Sequence, residues 1–553
     1  MSVEKLIVDH METWTSALQT RSTAGRGSSG KIDLYGIKKL RELILELAVR
    51  GKLVPQDPND EPASDLLKRI AAEKAELVKQ GKIKKQKPLP EISEEEKPFE
   101  LPEGWEWVHL PDIYCSISES SRKIKSSEIL PEGKYPVIEQ SQEFISGYCN
   151  NECLLIKLNN PVIVFGDHTR NIKFIDFDFV VGADGVKILS PILICERFFF
   201  WQLRSFKLDV RGYARHFKVL NSCLFALPPI AEQERIVEKV SSLMSLCDQL
   251  EQQSLTSLDA HQQLVETLLG TLTDSQNTAE LAENWARISE HFDTLFTTEA
   301  SVDALKQTIL QLAVMGKLVP QDPNDEPASE LLKRIAQEKA QLVKEGKIKK
   351  QKPLPPISDE EKPFELPEGW EWCRIGNIVN IKSELVSPKD YLNLYQVAPD
   401  IIEKGTGRVI SKRTVKESGV KGPNSRFYKG QIVYSKIRPS LSKVFLAEYN
   451  GLCSADMYPL DCYINPNYLL KYILSIPFLM QVKKAENRIK MPKLNSDSFY
   501  NIIAAIPPYN EQQAIFDKIN SIEAVCNGLI SYIGIYHKTQ LHLADALTDA
   551  AIN

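Results

Sequence analysis

Apolar residues recur at alternating three- and four-residue steps along two long stretches of this chain. In the first, Ile236, Val240, Leu243, Cys247 and Leu250 form a stripe that resumes at Leu264 and Leu268. In the second, Ile515, Ile519, Ile522, Cys526 and Leu529 do the same, continuing through Ile533, Tyr536, Leu543 and Leu547. A 3–4 alternation sustained over heptads predicts a coiled-coil seam. Because the two seams match position by position, the two helices are expected to pair with each other. Pro228, Pro229, Pro507 and Pro508 mark their starts, since proline is tolerated at or before a first helical turn. Segments 37–48 and 304–313 are apolar at helical spacing. Ser64 and Ser329 suit the N-caps of the next helices, which run to Gly81 and Gly346, suited to C-caps.

Each long helix follows a block with a strand rhythm. Residues 161–165 and 171–181 are β-rich and flank the polar loop GDHTR. Residues 431–435 and 443–447 flank KIRPSLS. Each block thus offers a strand, a basic loop and a strand, followed by a basic cluster, RGYARHFK at 211–218 and NRIKMPK at 487–493.

These elements occur twice because the chain repeats. Residues 51–107 and 316–372 differ at only six of 57 positions, at an offset of 265. A second match, ALPPIAEQERIVEKV against AIPPYNEQQAIFDKI, has an offset of 279. Each copy is a near-identical block, a divergent block and a long helix. The pattern predicts an α+β fold with two mixed domains linked by two long helices, and 553 residues allow about three to five domains. Two nearly identical blocks imply two equivalent binding jobs, met by two copies of one partner about an approximate two-fold axis. Two divergent blocks imply two different jobs.

Charge sharpens this. The net charge of −5 argues against a uniformly basic nucleic-acid binder. Residues 373–507, however, hold 20 Lys+Arg against 10 Asp+Glu, a net +10, and residues 109–228 sum to +1, which leaves the remainder at −16. One divergent block is basic enough for a polyanion. The run 82–87 also offers lysines to phosphates, though a solvated face is the commoner role of such a run.

Motifs for other chemistry are weak. No run of 18 apolar residues occurs, so no membrane span is expected. The first 20 residues lack the apolar stretch of a secretory signal, and ten cysteines without a CxxC pair fit a reducing cytoplasm. Cys149 and Cys153 have a poor spacing for zinc. The GRGSSGK segment at 25–31 resembles a phosphate loop but is followed by Ile32 where Mg²⁺ binding needs Ser or Thr. In the sequence Ile506-Pro-Pro-Tyr509, isoleucine stands where an amino-methyltransferase needs a hydrogen-bond acceptor. Pro111, Asp112, Glu132 and Lys134 fit a loose nuclease pattern that the other copy lacks.

LPPIAEQERIVEKV, IPPYNEQQAIFDKI, the two LPEGWEW segments and the repeated GKLVPQDPNDEPAS together resemble the specificity subunit of Type I restriction–modification systems, over essentially the whole chain. The resemblance implies an internal pseudo-two-fold repeat in which two antiparallel helices separate two target-recognition domains. Each domain would read half of a split, asymmetric double-stranded DNA site. The helices would dock two methyltransferase subunits for adenine methylation, and two restriction subunits would join for ATP-dependent cleavage. S-adenosylmethionine, ATP and Mg²⁺ would belong to those partners, with no cofactor, metal or catalytic residue on this chain. The expected layout is a conserved helical region at 1–108, a recognition domain at 109–228 and a long helix at 229–275. A second conserved region at 276–372, recognition domain at 373–507 and long helix at 508–553 follow. In the first domain His168, Arg170, Lys173, Arg211, Tyr213, Arg215 and His216 are candidate DNA contacts. In the second they are Lys436, Arg438, Ser440, Lys443, Arg488, Lys490 and Lys493. A stand-alone DNA-binding regulator is the principal alternative, a protein-only scaffold the next.

Overall fold

The computed structural model describes residues 3–20, 32–117, 122–182, 185–208, 215–486 and 492–552. The GRGSSGK segment therefore lies outside the described residues. The chain divides into two compact units, one formed by Met1–Ser257 with Ile535–Asn553 and the other by Leu258–Gly534. Among the described residues no helix is long and apolar enough to cross a membrane.

In the second unit, helix Glu299–Val314 begins with a capping box, in which Thr298 Oγ1 accepts the Ser301 N–H at 3.1 Å. It buries Leu305, Ile309 and Leu312 against Val265, Leu269 and Leu272, from the end of helix Ile230–Asp274. Cys526 and Ile533 of helix Tyr509–Ile552 complete this core. The long helices do meet, but a third helix shares the seam. The first unit repeats the arrangement: on helix Tyr35–Val49, Arg41 pairs with Asp248 at 2.5 Å and Tyr35 donates to Asp545 at 2.7 Å.

The seam also slips. Leu264 is 51% exposed while Val265 is buried, and Leu543 is 44% exposed while Ala544 is buried. A straight helix drifts about 20° per heptad from a strict seven-residue repeat. Over the four heptads from Ile236 to Leu264 and from Ile515 to Leu543 the drift of about 80° approaches the roughly 100° step of one residue, and the neighbouring position takes over the buried face.

The following helices, Ala63–Lys79 and Ala328–Lys344, start two residues earlier than expected. Pro62 and Pro327 occupy the N-cap positions, and Ser64 and Ser329 fall inside the first turn without capping it. At the other end Gly81 and Gly346 take positive φ of 68° and 69°, just beyond the cap. The N–H groups of Lys82 and Gly81 return to Leu77 and Val78, both at 3.0 Å, the double bond of a Schellman closure.

The divergent block of the second unit folds as two four-stranded sheets. One runs Val379–Ile381, Met457–Cys462, Ile432–Ser435, Val444–Leu446. The other runs Leu385–Val386, Asn424–Phe427, Gly451–Ser454, Tyr395–Val397, its last pair parallel. Val397, Phe427, Val433, Phe445 and Met457 fill the space between them. The first unit has a corresponding pair of sheets: Tyr114–Ile117, Val186–Pro191, Val162–Gly166, Ile172–Ile175, and Gly147–Cys149, Tyr135–Ile138, Phe179–Val181, Leu155–Ile156. The second of these differs in that its parallel pair, Tyr135–Ile138 with Phe179–Val181, is internal and Gly147–Cys149 forms the edge beside it. The β-rich run 171–181 is split between the two sheets. Residues 176–178 carry the chain across, and Asp178 accepts the Leu158 N–H at 2.8 Å.

The chain enters and leaves each block side by side. Glu106–His109 pairs antiparallel with Leu224–Leu227, and Glu371–Arg374 with Ile503–Ile506. Directly beneath, three repeated motifs are joined. Trp105 and Gln56 both donate to Glu232, at 2.9 and 3.2 Å, and Trp370 and Gln321 donate to Glu511 at the same distances. Gly51, with φ +65°, allows this closure: a Cβ there would stand 2.4 Å from Pro102.

Candidate nucleic-acid interface

In each unit the expected basic loop is the turn of a hairpin. Val162–Gly166 pairs with Ile172–Ile175, and Ile432–Ser435 with Val444–Leu446. Arg170 and Arg438 both adopt the left-handed region, with φ of 63° and 46°. Such a conformation is uncommon for a non-glycine residue, and it suggests a functional site. It lets the chain reverse while the arginine side chain projects from the turn.

The loops are held from behind by the segment that precedes the block's last strand. In the first unit the Asp167 carbonyl accepts the His216 N–H at 2.8 Å, and its carboxylate accepts the Phe217 N–H at 2.8 Å. In the second the Arg438 N–H donates to Pro492 and the Leu494 N–H to Lys436, both at 2.9 Å.

The fourteen candidate contacts then separate by what they touch. Arg438 and Arg215 are exposed and make no side-chain hydrogen bond or ion pair among the described residues. Arg170 is half-buried and donates one N–H to the Leu208 carbonyl at 2.8 Å. His168 sits on the same loop, its backbone N–H donating to Gln140 at 3.2 Å. Lys436 and Lys493 share Asp456, at 3.8 and 3.2 Å, and Lys436 also donates to the Ala455 carbonyl at 2.7 Å. The Ser440 backbone N–H donates to Glu486 at 3.1 Å.

Three candidates are turned inward. Lys173 is buried and donates to the carbonyls of Glu139 at 2.8 Å, Phe144 at 3.4 Å and Glu143. Burial pushes the pKa of its amine down. Lys443 donates to the Pro399 carbonyl. His216 is buried, and its Nδ1 lies 3.1 Å from the Asp167 carbonyl, so that nitrogen carries the hydrogen. A long amine near a loop satisfies whatever carbonyls converge there, and nothing in the sequence shows that convergence. Arg211, Tyr213, Arg488 and Lys490 lie outside the described residues.

The sequence reading missed Asp456, which gathers two of its lysines. The available signal was a short sequence match: the dipeptide Ala455-Asp456 also occurs as Ala183-Asp184 in the first copy. Neither Cys149 nor Cys153 belongs to a metal-like cluster: among the described residues no three His, Cys, Asp or Glu side chains gather. The seam residues Ile236, Val240, Leu243, Cys247, Leu250, Ile515, Ile519 and Cys526 are buried, with Ile522 and Leu529 partly so.

Residues 102–260 and 367–533 match the family model described as the Type I restriction modification DNA specificity domain. The chain belongs to that family. Each match takes in one two-sheet domain and the first part of the long helix behind it, so the duplication seen in the fold is a duplication of this domain. The chain is 51% identical to the Type I restriction enzyme EcoAI specificity subunit of Escherichia coli, and 49% identical to the EcoEI specificity subunit of the same organism, over all of each chain. The EcoDI specificity subunit of Escherichia coli is 28% identical over 77% of this chain and 82% of its own. A specificity subunit is the non-catalytic, DNA-recognising component of a Type I restriction–modification complex, and its two-sheet domains are the recognition domains.

Proposed function

We propose that the two recognition domains read the two unlike halves of a bipartite, asymmetric double-stranded DNA site. On this reading the near-identical helical regions dock two methyltransferase subunits, and two restriction subunits join them. The assembled complex methylates adenine or, with the restriction subunits, cleaves DNA with ATP. S-adenosylmethionine, ATP and Mg²⁺ are used by the partners, and the complex works in the cytoplasm.

One observation carries the reading. The same hairpin, with a left-handed arginine at its turn, stands in both units on frames identical at 51 of 57 positions, yet the loops differ in length and charge. Equal frames suit two copies of one partner, and unlike loops suit two unlike sequences. Arginine pairs bidentately with guanine O6 and N7 or holds phosphates.

Gel-shift titration of the chain with and without the methyltransferase partner tests this. Tight, sequence-specific binding that needs the partner supports a specificity subunit. Equally tight specific binding by the chain alone favours a stand-alone regulator, and no binding in either case favours a scaffold.

A further inference from the structure

The strand Tyr135–Ile138 runs into a loop, 139–144, that lies against the hairpin turn of the same unit. The Gln140 carbonyl accepts Thr169 Oγ1 at 2.5 Å and Asn171 Nδ2 at 2.9 Å, and the Gln140 side chain accepts the His168 N–H at 3.2 Å. Lys173 ties the same loop from inside through the Glu139, Glu143 and Phe144 carbonyls. The second unit uses the same device. Lys443, at the end of its hairpin turn, holds Pro399 in the loop after Tyr395–Val397, the strand that corresponds to Tyr135–Ile138. In both divergent domains a lysine beyond the hairpin turn, bonded only to backbone carbonyls, holds this loop irrespective of the loop's side chains.

What the anchored loop presents in the first unit is chemically specific. Gln142 is exposed and makes no side-chain hydrogen bond among the described residues, and Phe144 is 49% exposed. Both line a cleft of about 530 Å³ with Arg170, Asn171 and Arg204. A free carboxamide pairs bidentately with adenine N6 and N7, and an exposed phenyl ring suits a thymine methyl. We propose that loop 139–144 is a second base-reading element of the first recognition domain. Gln142 takes an adenine edge, Phe144 a thymine methyl, and Lys173 is the positioning residue. This rests on the DNA-recognition reading above.

The test maps methylated sites made by the complete complex carrying Q142A, F144A, K173M, K173R or R438A. Q142A is expected to accept other bases at one adenine position of the first half-site, and to lose about 5- to 150-fold in rate at the original site. F144A relaxes a thymine position in the same half. K173M broadens those positions and K173R, which keeps charged donors, restores them. The second half-site stays unchanged in all four, which reports that the chain is folded and assembled. If Q142A and F144A leave the first half-site intact while R438A broadens the second, this inference fails and the DNA-reading assignment stands. If none of the five changes either half, that assignment fails as well.

Discussion

Trp105 and Glu232, 127 residues apart in the chain, meet in a buried hydrogen bond of 2.9 Å. Trp370 and Glu511 repeat it at 2.9 Å in the other copy. Each bond joins the LPEGWEW segment at the entrance of a recognition domain to the helix behind its exit. Burial pushes both carboxyl pKa values up, against the pull of the tryptophan and glutamine donors.

The sign of the resulting pH effect is fixed. A carboxyl whose folded pKa lies above its unfolded value contributes stability that is complete below the unfolded value of 4.5. That contribution is lost as pH rises through the folded pKa. The pair E232Q and E511Q keeps a side-chain oxygen for each indole and removes the titration. Urea midpoints of the wild-type chain should therefore fall relative to the double variant as pH rises above 4.5. Parallel curves would show that the carboxyls do not titrate in this way. E232A, which leaves the Trp105 N–H buried and unpaired, should cost about 1–3 kcal/mol.

The two turn arginines differ in how they are held. Arg438 makes no side-chain bond among the described residues, whereas Arg170 is fastened to the Leu208 carbonyl. Removing a base-reading arginine costs about 1–3 kcal/mol and relaxes one base position. R438A should do so in the second half-site alone, and R170A in the first alone with added loss of loop stability. A double R170A and R438A variant with unchanged binding and methylation pattern would remove both residues from the interface.

The long helices are also expected to set the gap between half-sites. Helix Ile230–Asp274 has 45 residues, about 67 Å at 1.5 Å per residue. One heptad inserted after Leu250 and another after Leu529 keeps the buried stripes nearly in phase and lengthens each helix by about 10 Å. Methylated sites should keep both halves and gain up to about 3 unread base pairs at 3.4 Å each. The added twist, about a third of a turn, lowers activity. The informative quantity is the gap in the sites still methylated. An unchanged gap at full activity would show that the helices do not set it.

The duplication and the hairpins were legible because identity and strand rhythm are local properties of sequence. The N-cap falls on Pro62 and Pro327 rather than on Ser64 and Ser329 because these prolines, with ψ near 147°, already supply the extended residue that precedes a helix. Leu264 fits the seam in sequence but not in space, because a heptad template ignores the drift of a 3.6-residue helix. Lys173, Lys443 and His216 look in sequence like Arg438. What separates them is the set of carbonyls around each, and those carbonyls come from residues such as Glu139, Pro399 and Asp167, up to 49 residues away. The LPEGWEW and PPxxEQ motifs that carry the family resemblance meet at structural junctions.

Each recognition domain is expected to read its own half-site independently. The structure gives the means to test it, because Glu106–His109 and Leu224–Leu227 bring the ends of the first block together as paired strands. Residues 109–226 are replaced by the equivalent segment of a relative with a different target, and methylated adenines are mapped across a genome. One half of the recognised sequence should change to that of the donor while the other half stays as it was. A chimera that alters both halves, or neither, would contradict it.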